Sequence, residues 1–411
     1  MKRLLMIAYH FPPIQGSSGV HRTVQFARHL PKFGWEPIIV SVHPRAYPAS
    51  ANDWFGGLSK SVIIRRAFAV DSARHLAIKG RYLGITAVPD RWVSWWIGGT
   101  WECLRLIRKY KADALWSTFP IATAHLIALS VQSLTGLPWV ADFRDPMIQK
   151  NQPESRMIRN SYKWIEKKSI QQSSAGIFVT QSSLNHYDLI YPDKDDNYWH
   201  LVENGYDEDL FPSGDDISSS IARKRRHRTI KMLHSGILYS KGRNPSPFLK
   251  ALGSYLRKKD VAIEVTLRAS GMEIDIEKWI SSFNLNNVVK TKPSIPYADA
   301  IEEMIDSDVL ILFQGAEYNK QIPAKVYEYI RAGRPILALV NAQGETADLL
   351  KKWDGIYSAD INSPAEIENA LGQLVQDIQA CKKFLRDSDK VRQLSRESST
   401  FKLSQILNSC A

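Results

Sequence analysis

One local pattern recurs along most of the chain: a short apolar run rich in β-branched residues, a turn marked by Gly or Pro, then a stretch with helical periodicity. In the first half, residues 4–8, 37–42, 62–66, 114–117, 139–141 and 176–180 read as strands, and 20–32, 99–110, 122–134 and 157–173 as helices. Strands that alternate with helices and look buried on both faces predict a parallel, doubly wound α/β sheet. The pattern halts at the turn signal Glu203-Asn204-Gly205-Tyr206, and residues 211–228 are polar, Ser-rich and then basic, as in an interdomain linker. It then restarts, with strands at 230–234, 262–269, 288–290, 309–313 and 335–340 and helices at 247–257, 275–283, 297–306 and 324–332. With 411 residues, the expectation is two tandem α/β domains, 1–205 and 206–384, followed by a helical tail, 385–411. Ligands of such sheets bind at the carboxyl ends of the strands, so facing domains are expected to share a cleft.

Several classes fall away. The longest apolar runs, such as 121–131, fall short of the ~18 residues that read as a membrane-spanning helix. The start Met1-Lys2-Arg3 mimics a secretory leader, but its apolar stretch is too short and Pro12-Pro13 follow without a cleavage site. Cys103, Cys381 and Cys410 are too scattered for a disulfide framework or a zinc site. These features predict a cytoplasmic protein. The formal net charge of +12 is one-sided: residues 1–205 hold 25 basic and 15 acidic side chains, the remainder 29 and 27. Such an excess suits an anionic partner or a plainly solvated basic surface. The basic run 223–228 belongs to no motif. No nucleic-acid-binding signature accompanies the charge.

Four constellations sit where the pattern places strand ends. Gly16, Ser17, Ser18 and Gly19 join the first strand to a helix opened by His21 and Arg22. Such a turn can cradle a phosphate, or be an ordinary capped turn; cations at that end favour the anion site. It is neither a dinucleotide fingerprint nor a Walker A loop. Asp142, Arg144 and Asp145 follow the strand at 139–141, as a base with its neighbours or as an ion pair that locks the loop. Gly236, Lys241 and Arg243 follow the restart strand and suit a diphosphate, or a solvated turn. Finally come Glu317 and a helix begun by Pro323, on which Lys325 and Glu328 share one face before Gly333-Arg334-Pro335. Trp92, Trp95, Trp96 and Trp101 crowd one stretch between basic segments, as an interfacial patch or as core packing.

In this order, Tyr9-His10-Phe11-Pro12-Pro13, the 16–19 loop with Arg22, Gly34-Trp35-Glu36-Pro37, Pro89-Asp90, residues 142–146, Asn204-Gly205-Tyr206-Asp207, residues 236–245 and residues 323–335 span nearly the whole chain. The chain resembles GT-B glycosyltransferases of family four, in the bacterial surface-polysaccharide branch. The resemblance implies two facing Rossmann-like domains, the first for the acceptor and the second for a nucleotide sugar, with the C-terminal helix returning to the first. It implies a retaining, metal-independent hexosyl transfer from a nucleotide-diphosphate sugar, UDP or GDP, with no further cofactor, to a hydroxyl of a lipid-linked saccharide in lipopolysaccharide or capsule synthesis. The protein would be peripheral on the inner face of the cytoplasmic membrane.

By the resemblance, donor binding falls to Gly16, Ser17, Ser18, Gly19, Gly236, Lys241, Arg243, Glu317, Lys325 and Glu328. Catalysis falls to Asp142, Asp145 and Arg144, and the acceptor side to His21, Arg22, Trp95 and Trp96. Two positions depart from the family pattern. Lys320 stands where the family has a second donor glutamate, which leaves Glu317 as the sugar-facing candidate. Ile237 replaces an arginine, so phosphate clamping passes to Lys241 or Arg243. A nucleotide-sugar epimerase and a catalytically silent nucleotide-sugar-binding scaffold are the alternatives within the same architecture.

Overall fold

A strand flanked by parallel neighbours is covered by helices on both faces, so its side chains must be apolar in both directions. That condition explains the apolar runs. The computed structural model describes residues 1–14, 19–49, 58, 62–149, 153–195, 197–212 and 229–411. It divides into two units: Met1–Asn204 with Arg396–Ala411, and Gly205–Ser395. In the first unit the strands are β1 (Lys2–Ile7), β2 (Trp35–Val42), β3 (Ile63–Ala67), β4 (Ala114–Thr118), β5 (Trp139–Arg144), β6 (Ala175–Phe178) and β7 (Trp199–Leu201). They form one sheet in the order β3-β2-β1-β4-β5-β6-β7, and every pairing is parallel. Leu4 lies opposite Pro37 on one side and Ala114 on the other.

The pleat sorts β1 into two cores. Leu5 and Ile7 pack with Ile38, Leu115 and the helices Trp95–Tyr110 and Ala122–Thr135. Leu4 and Met6 pack with Phe26, Ile39 and Trp116 on the opposite face. The second unit repeats the arrangement with β8 (Ile230–Ser235), β9 (Ile263–Arg268), β10 (Val289–Lys292), β11 (Val309–Gln314), β12 (Ile336–Val340) and β13 (Ile356–Ala359). Their order is β10-β9-β8-β11-β12-β13, again wholly parallel. Among the described residues no helix is long and apolar enough to cross a membrane.

The structure departs from the sequence reading in several places, and adds the helices Gln181–Ile190 and Glu345–Leu350. The edge strands β7 and β13 are not among the expected strands: β7 has only three residues, and both carry partly exposed residues. The helix expected from residue 99 begins at Trp95. Its glycines are sites of close approach rather than breakers: a Cβ on Gly98 would lie 2.8 Å from the Phe68 carbonyl oxygen, and one on Gly99 2.6 Å from Ile127 Cδ1. The tail divides later than residue 385. The Arg386 guanidinium donates to the carbonyls of Tyr329, Ile330 and Arg334, which holds this stretch in the second unit.

The helix Arg396–Cys410 packs on the helix Gly19–His29 of the first unit. Leu403 and Leu407 enter the core beside Phe26, Lys32 pairs with Glu397 at 2.9 Å, and Trp35 donates to Asn408 at 3.1 Å. Leu407 is completely buried. Leu407→Ala is therefore expected to cost about 2–5 kcal/mol through lost burial and a cavity. Phe401, on the same helix, is 47% exposed, and Phe401→Ala is expected to cost well under that. Denaturant unfolding followed by tryptophan fluorescence compares the two.

Candidate functional site

In the second sheet the strand order reverses between β8 and β11. Crossovers leave these two strands towards opposite faces, so a crevice opens past their carboxyl ends, which is the ligand position in open α/β sheets. His234, the penultimate residue of β8, is buried there, with Nδ1 2.9 Å from the Ile311 carbonyl and Nε2 3.0 Å from the Gly236 carbonyl. Burial, then the charges of Lys325 and Arg243, hold its pKa well below the usual imidazole value.

Gly236 has φ = +122°, and a Cβ on it would meet Lys325 Nζ at 2.5 Å. The ammonium thus lies against bare loop backbone, where only glycine fits. Burial, and secondarily Arg243, lower the Lys325 pKa to about 7; Glu328 opposes this. Arg243 donates from Nε to Gln314 Oε1 at 3.2 Å, and its guanidinium lies over the rings of Tyr239 and Tyr318. Neither cation forms a salt bridge with a carboxylate among the described residues, and burial lowers the Arg243 pKa as well. Gly242 (φ = +77°) accepts at its carbonyl from the Gly315 N–H at 2.7 Å. Glu317 Oε2 stands over both glycines, 3.1 and 2.9 Å from where a Cβ of Gly242 or Gly315 would be. Lys241 is exposed at the same rim.

Glu328, buried one turn after Lys325, accepts the Tyr297 hydroxyl proton at 2.5 Å. Its helix, Lys325–Arg331, is tied to the end of β8 where Ser235 N–H donates to the Tyr329 hydroxyl at 3.1 Å. Two cations without a carboxylate partner, on glycine-rich backbone beside two carboxylates, can hold a diphosphate and the hydroxyls attached to it. Of the donor-side residues expected from sequence, the structure brings Gly236, Arg243, Glu317, Lys325 and Glu328 to one strand-end region, with Lys241 at its rim. Gly16, Ser17 and Ser18 lie outside the described residues, as does the basic run 223–228.

The first sheet has its own reversal between β1 and β4. Here the structure separates residues that the sequence grouped. Asp142 is wholly buried and held by Arg22, with Nε to Oδ2 at 2.7 Å and Nη2 to Oδ1 at 3.1 Å; Thr118 also donates to Oδ2. Both oxygens are engaged, so Asp142 is the counter-ion of Arg22 and not an open base, and Arg22 is correspondingly occupied. Asp145 is only partly buried and has no side-chain hydrogen bond among the described residues. Burial raises its pKa, opposed by Arg144 and Arg22.

Arg144 ends β5 at φ = +63°, beside a register shift between Asp142 and Arg144. Bulges of this kind re-aim side chains near sites. Its Nη1 lies 2.8 Å from where a Gly19 Cβ would be, beside His10, whose pKa falls to about 4 through burial and Arg144. His21, with a pKa lowered to about 3 by burial and Arg396, is influenced by the C-terminal helix instead. Trp95 is core, edge-on to Tyr9, whereas Trp96 is 41% exposed. The sequence reading left His10, Gln314 and Tyr297 out of its site and took His234 only as part of the strand end before Gly236. His10 and His234 were legible as polar residues at the ends of apolar strands. Tyr297 lies on a separate helix, and no local signal marks it.

No protein-family model matches the chain, and no curated protein matches it in sequence. Solved structures do match its fold. Sucrose-phosphate synthase of Thermosynechococcus elongatus is 13% identical with TM-score 0.67, covering 100% of this chain and 99% of that one. HepE of Anabaena, solved with UDP-glucose, is 14% identical with TM-score 0.62, covering 100% of both chains. The lipopolysaccharide outer core galactosyltransferase WaaB is 10% identical with TM-score 0.59, covering 99% of each. The two parallel-sheet α/β domains are those of the GT-B glycosyltransferase fold.

Two measurements probe these assignments. Breaking a buried ion pair leaves an uncompensated charge, so Asp142→Ala is expected to destabilise the first unit by about 3–5 kcal/mol. Asp145→Asn removes a carboxylate that burial disfavours in its charged form, and is expected to leave the unfolding midpoint unchanged or higher. For Lys325, a bound anion favours the protonated amine. Affinity for a nucleoside diphosphate should therefore be level below the free-state pKa of about 7 and fall above it, by at most about tenfold per pH unit. Lys325→Arg should flatten that profile in calorimetric titrations, and a level wild-type profile would contradict the assignment.

Proposed function

We propose that the chain is a glycosyltransferase that moves a hexosyl group from a nucleotide-diphosphate sugar to a hydroxyl of a saccharide acceptor. The observation that carries this reading is the pair of cations, Lys325 and Arg243, which form no salt bridge with a carboxylate among the described residues, on the Gly236 and Gly242 backbone at the β8/β11 reversal. A diphosphate supplies the missing negative charge. In the reaction the bond from the anomeric carbon to the phosphate oxygen breaks, the electron pair leaves with the nucleoside diphosphate, and the acceptor oxygen bonds to that carbon. Lys325, Arg243 and backbone N–H groups stabilise the departing charge, usually the largest catalytic contribution. Glu328 accepts from ribose hydroxyls, and Glu317 faces the sugar. In the first unit, Asp145 beside Arg144 is the candidate to receive the acceptor proton.

HepE structures with UDP and UDP-glucose support UDP as the first nucleotide to test. WaaB, a lipopolysaccharide outer core galactosyltransferase, supports a role in cell-surface polysaccharide synthesis. The proposed reaction retains anomeric configuration without a metal and uses a lipid-linked acceptor, with the protein on the inner face of the cytoplasmic membrane.

Thermal shifts with UDP-, GDP-, dTDP- and ADP-sugars identify the donor, and transfer to a lipid-linked saccharide in EDTA follows. Lys325→Ala and Glu328→Ala are each expected to lower kcat/KM by about a hundredfold or more. Unchanged kinetics in both would remove the assignment. Conversion of the free nucleotide sugar to an epimer would indicate an epimerase, and binding without any turnover a silent scaffold.

A further inference from the structure

A second cavity, of about 590 Å³, lies in the first unit. It is a groove among the helices Trp95–Tyr110, Ala122–Thr135 and Arg156–Gln172. Pro89, Trp96, Leu126, Leu129 and Trp164 line it, with Lys168 at its side. Trp164 is 52% exposed and Leu134 67%, so large apolar side chains meet solvent along its rim. The segment leading into it exposes Ile78, Leu83 and Ile85 as well.

The hydroxyls of the groove wall and the Trp96 indole are already hydrogen-bonded. Ser130 accepts the Trp96 indole N–H at 2.8 Å and donates to the Leu126 carbonyl at 3.0 Å. Ser133 Oγ lies 2.9 Å from both the Leu129 carbonyl and Gln172 Oε1, and Ser161 donates to Ile158 at 2.7 Å. A peptide or sugar laid there would find little to replace its lost water. A hydrocarbon chain has no such requirement.

The surrounding charge has one sign. The three helices carry eight Lys and Arg against two Glu, and the middle helix has no charged residue. Glu102 is held by Arg105, and Glu166 accepts the hydroxyls of Tyr187 and Tyr191, so both acids are engaged and buried. Lys163, Lys167 and Lys168 form no salt bridge with an acid among the described residues. The slot has Lys168 on its wall, and Lys163 and Lys167 are exposed on the same helix; this matches an anionic lipid, with the acyl chain in the slot and headgroups over the lysines. One chain alone anchors weakly, and a basic patch supplies the second contribution that stable docking needs.

We propose that this groove seats one acyl chain of an anionic phospholipid bilayer. The proposal rests on the membrane-side reading above and names its site. The test is co-sedimentation of the whole chain with vesicles of phosphatidylcholine plus phosphatidylglycerol, against phosphatidylcholine alone, at low and high salt. Trp164→Glu and the pair Lys163→Glu/Lys167→Glu are each expected to weaken binding about tenfold or more, with the wild-type dependence on anionic lipid. Acyl-chain-brominated lipid should quench tryptophan fluorescence less in Trp164→Phe, which keeps the groove apolar. Failure of the wild type to bind at low salt overturns the proposal. So does binding that the lysine variants lose but Trp164→Glu leaves unchanged, since that is surface attraction without a groove. The nucleotide-induced thermal shift, measured on the same variants, checks their folding and separates the readings: its absence with vesicle binding intact removes the transferase reading and leaves the groove.

Discussion

Parallel pairing on both sides of a strand is the constraint on which the rest of this molecule depends. Such a strand can only be re-entered through a crossover, and the crossover helices seal both faces of the sheet. Polar chemistry is thereby excluded from the strand interiors: Leu4, Leu5, Met6 and Ile7 are fully buried, and so are Leu310 and Ile311. Functional groups are confined to the strand ends, and the reversals β1/β4 and β8/β11 are where those ends separate. His10, Arg144 and Asp145 in one unit, and His234, Gly236, Gln314 and Lys325 in the other, gather under the same rule.

The two ends manage charge in opposite ways. At the first, Arg22 is matched by Asp142 through two hydrogen bonds in full burial, an arrangement that fixes the helix Gly19–His29 against β5. At the second, burial and then the charge of Arg243 depress the proton affinity of Lys325, burial depresses that of Arg243, and the neutral partners Gln314, Tyr239 and Tyr318 receive the guanidinium. A matched pair stabilises the apo protein. An unmatched pair raises its energy and returns that energy when an anion binds, which is the physical signature of a site.

This difference also marks how far the sequence could be read. The interior strands are legible because burial on both faces forces unbroken apolar runs, and the helix carrying Lys325 and Glu328 is legible because their three-residue spacing puts them on one face. The edge strands β7 and β13 are not, since Trp199-His200-Leu201 is only three residues long and Ile356-Tyr357-Ser358-Ala359 is interrupted by the exposed Ser358, although the other two edge strands, β3 and β10, could be read. Asp142 and Asp145 look equivalent in a local reading. What divides their roles is Arg22, 120 residues away along the chain, and no spacing rule reaches that far. The helix start reads late from sequence, at residue 99 rather than Trp95, across a glycine pair whose role is not local: Gly98 and Gly99 allow close approach to Phe68 and Ile127.

Net charge, in turn, does not point to the proposed diphosphate site. The first 205 residues hold the excess, 25 basic against 15 acidic, yet the proposed site lies in the part with 29 against 27. A site needs local imbalance, here two cations that form no salt bridge with a carboxylate among the described residues, and a nearly neutral domain can supply it. A surface needs the opposite, many screened cations spread over helices whose few acids are turned inward, as Glu102 and Glu166 are. The first arrangement gives affinity for one ligand held at short range. The second gives weak, salt-sensitive attraction to an extended anionic face, which becomes specific only where an apolar groove lies among the cations.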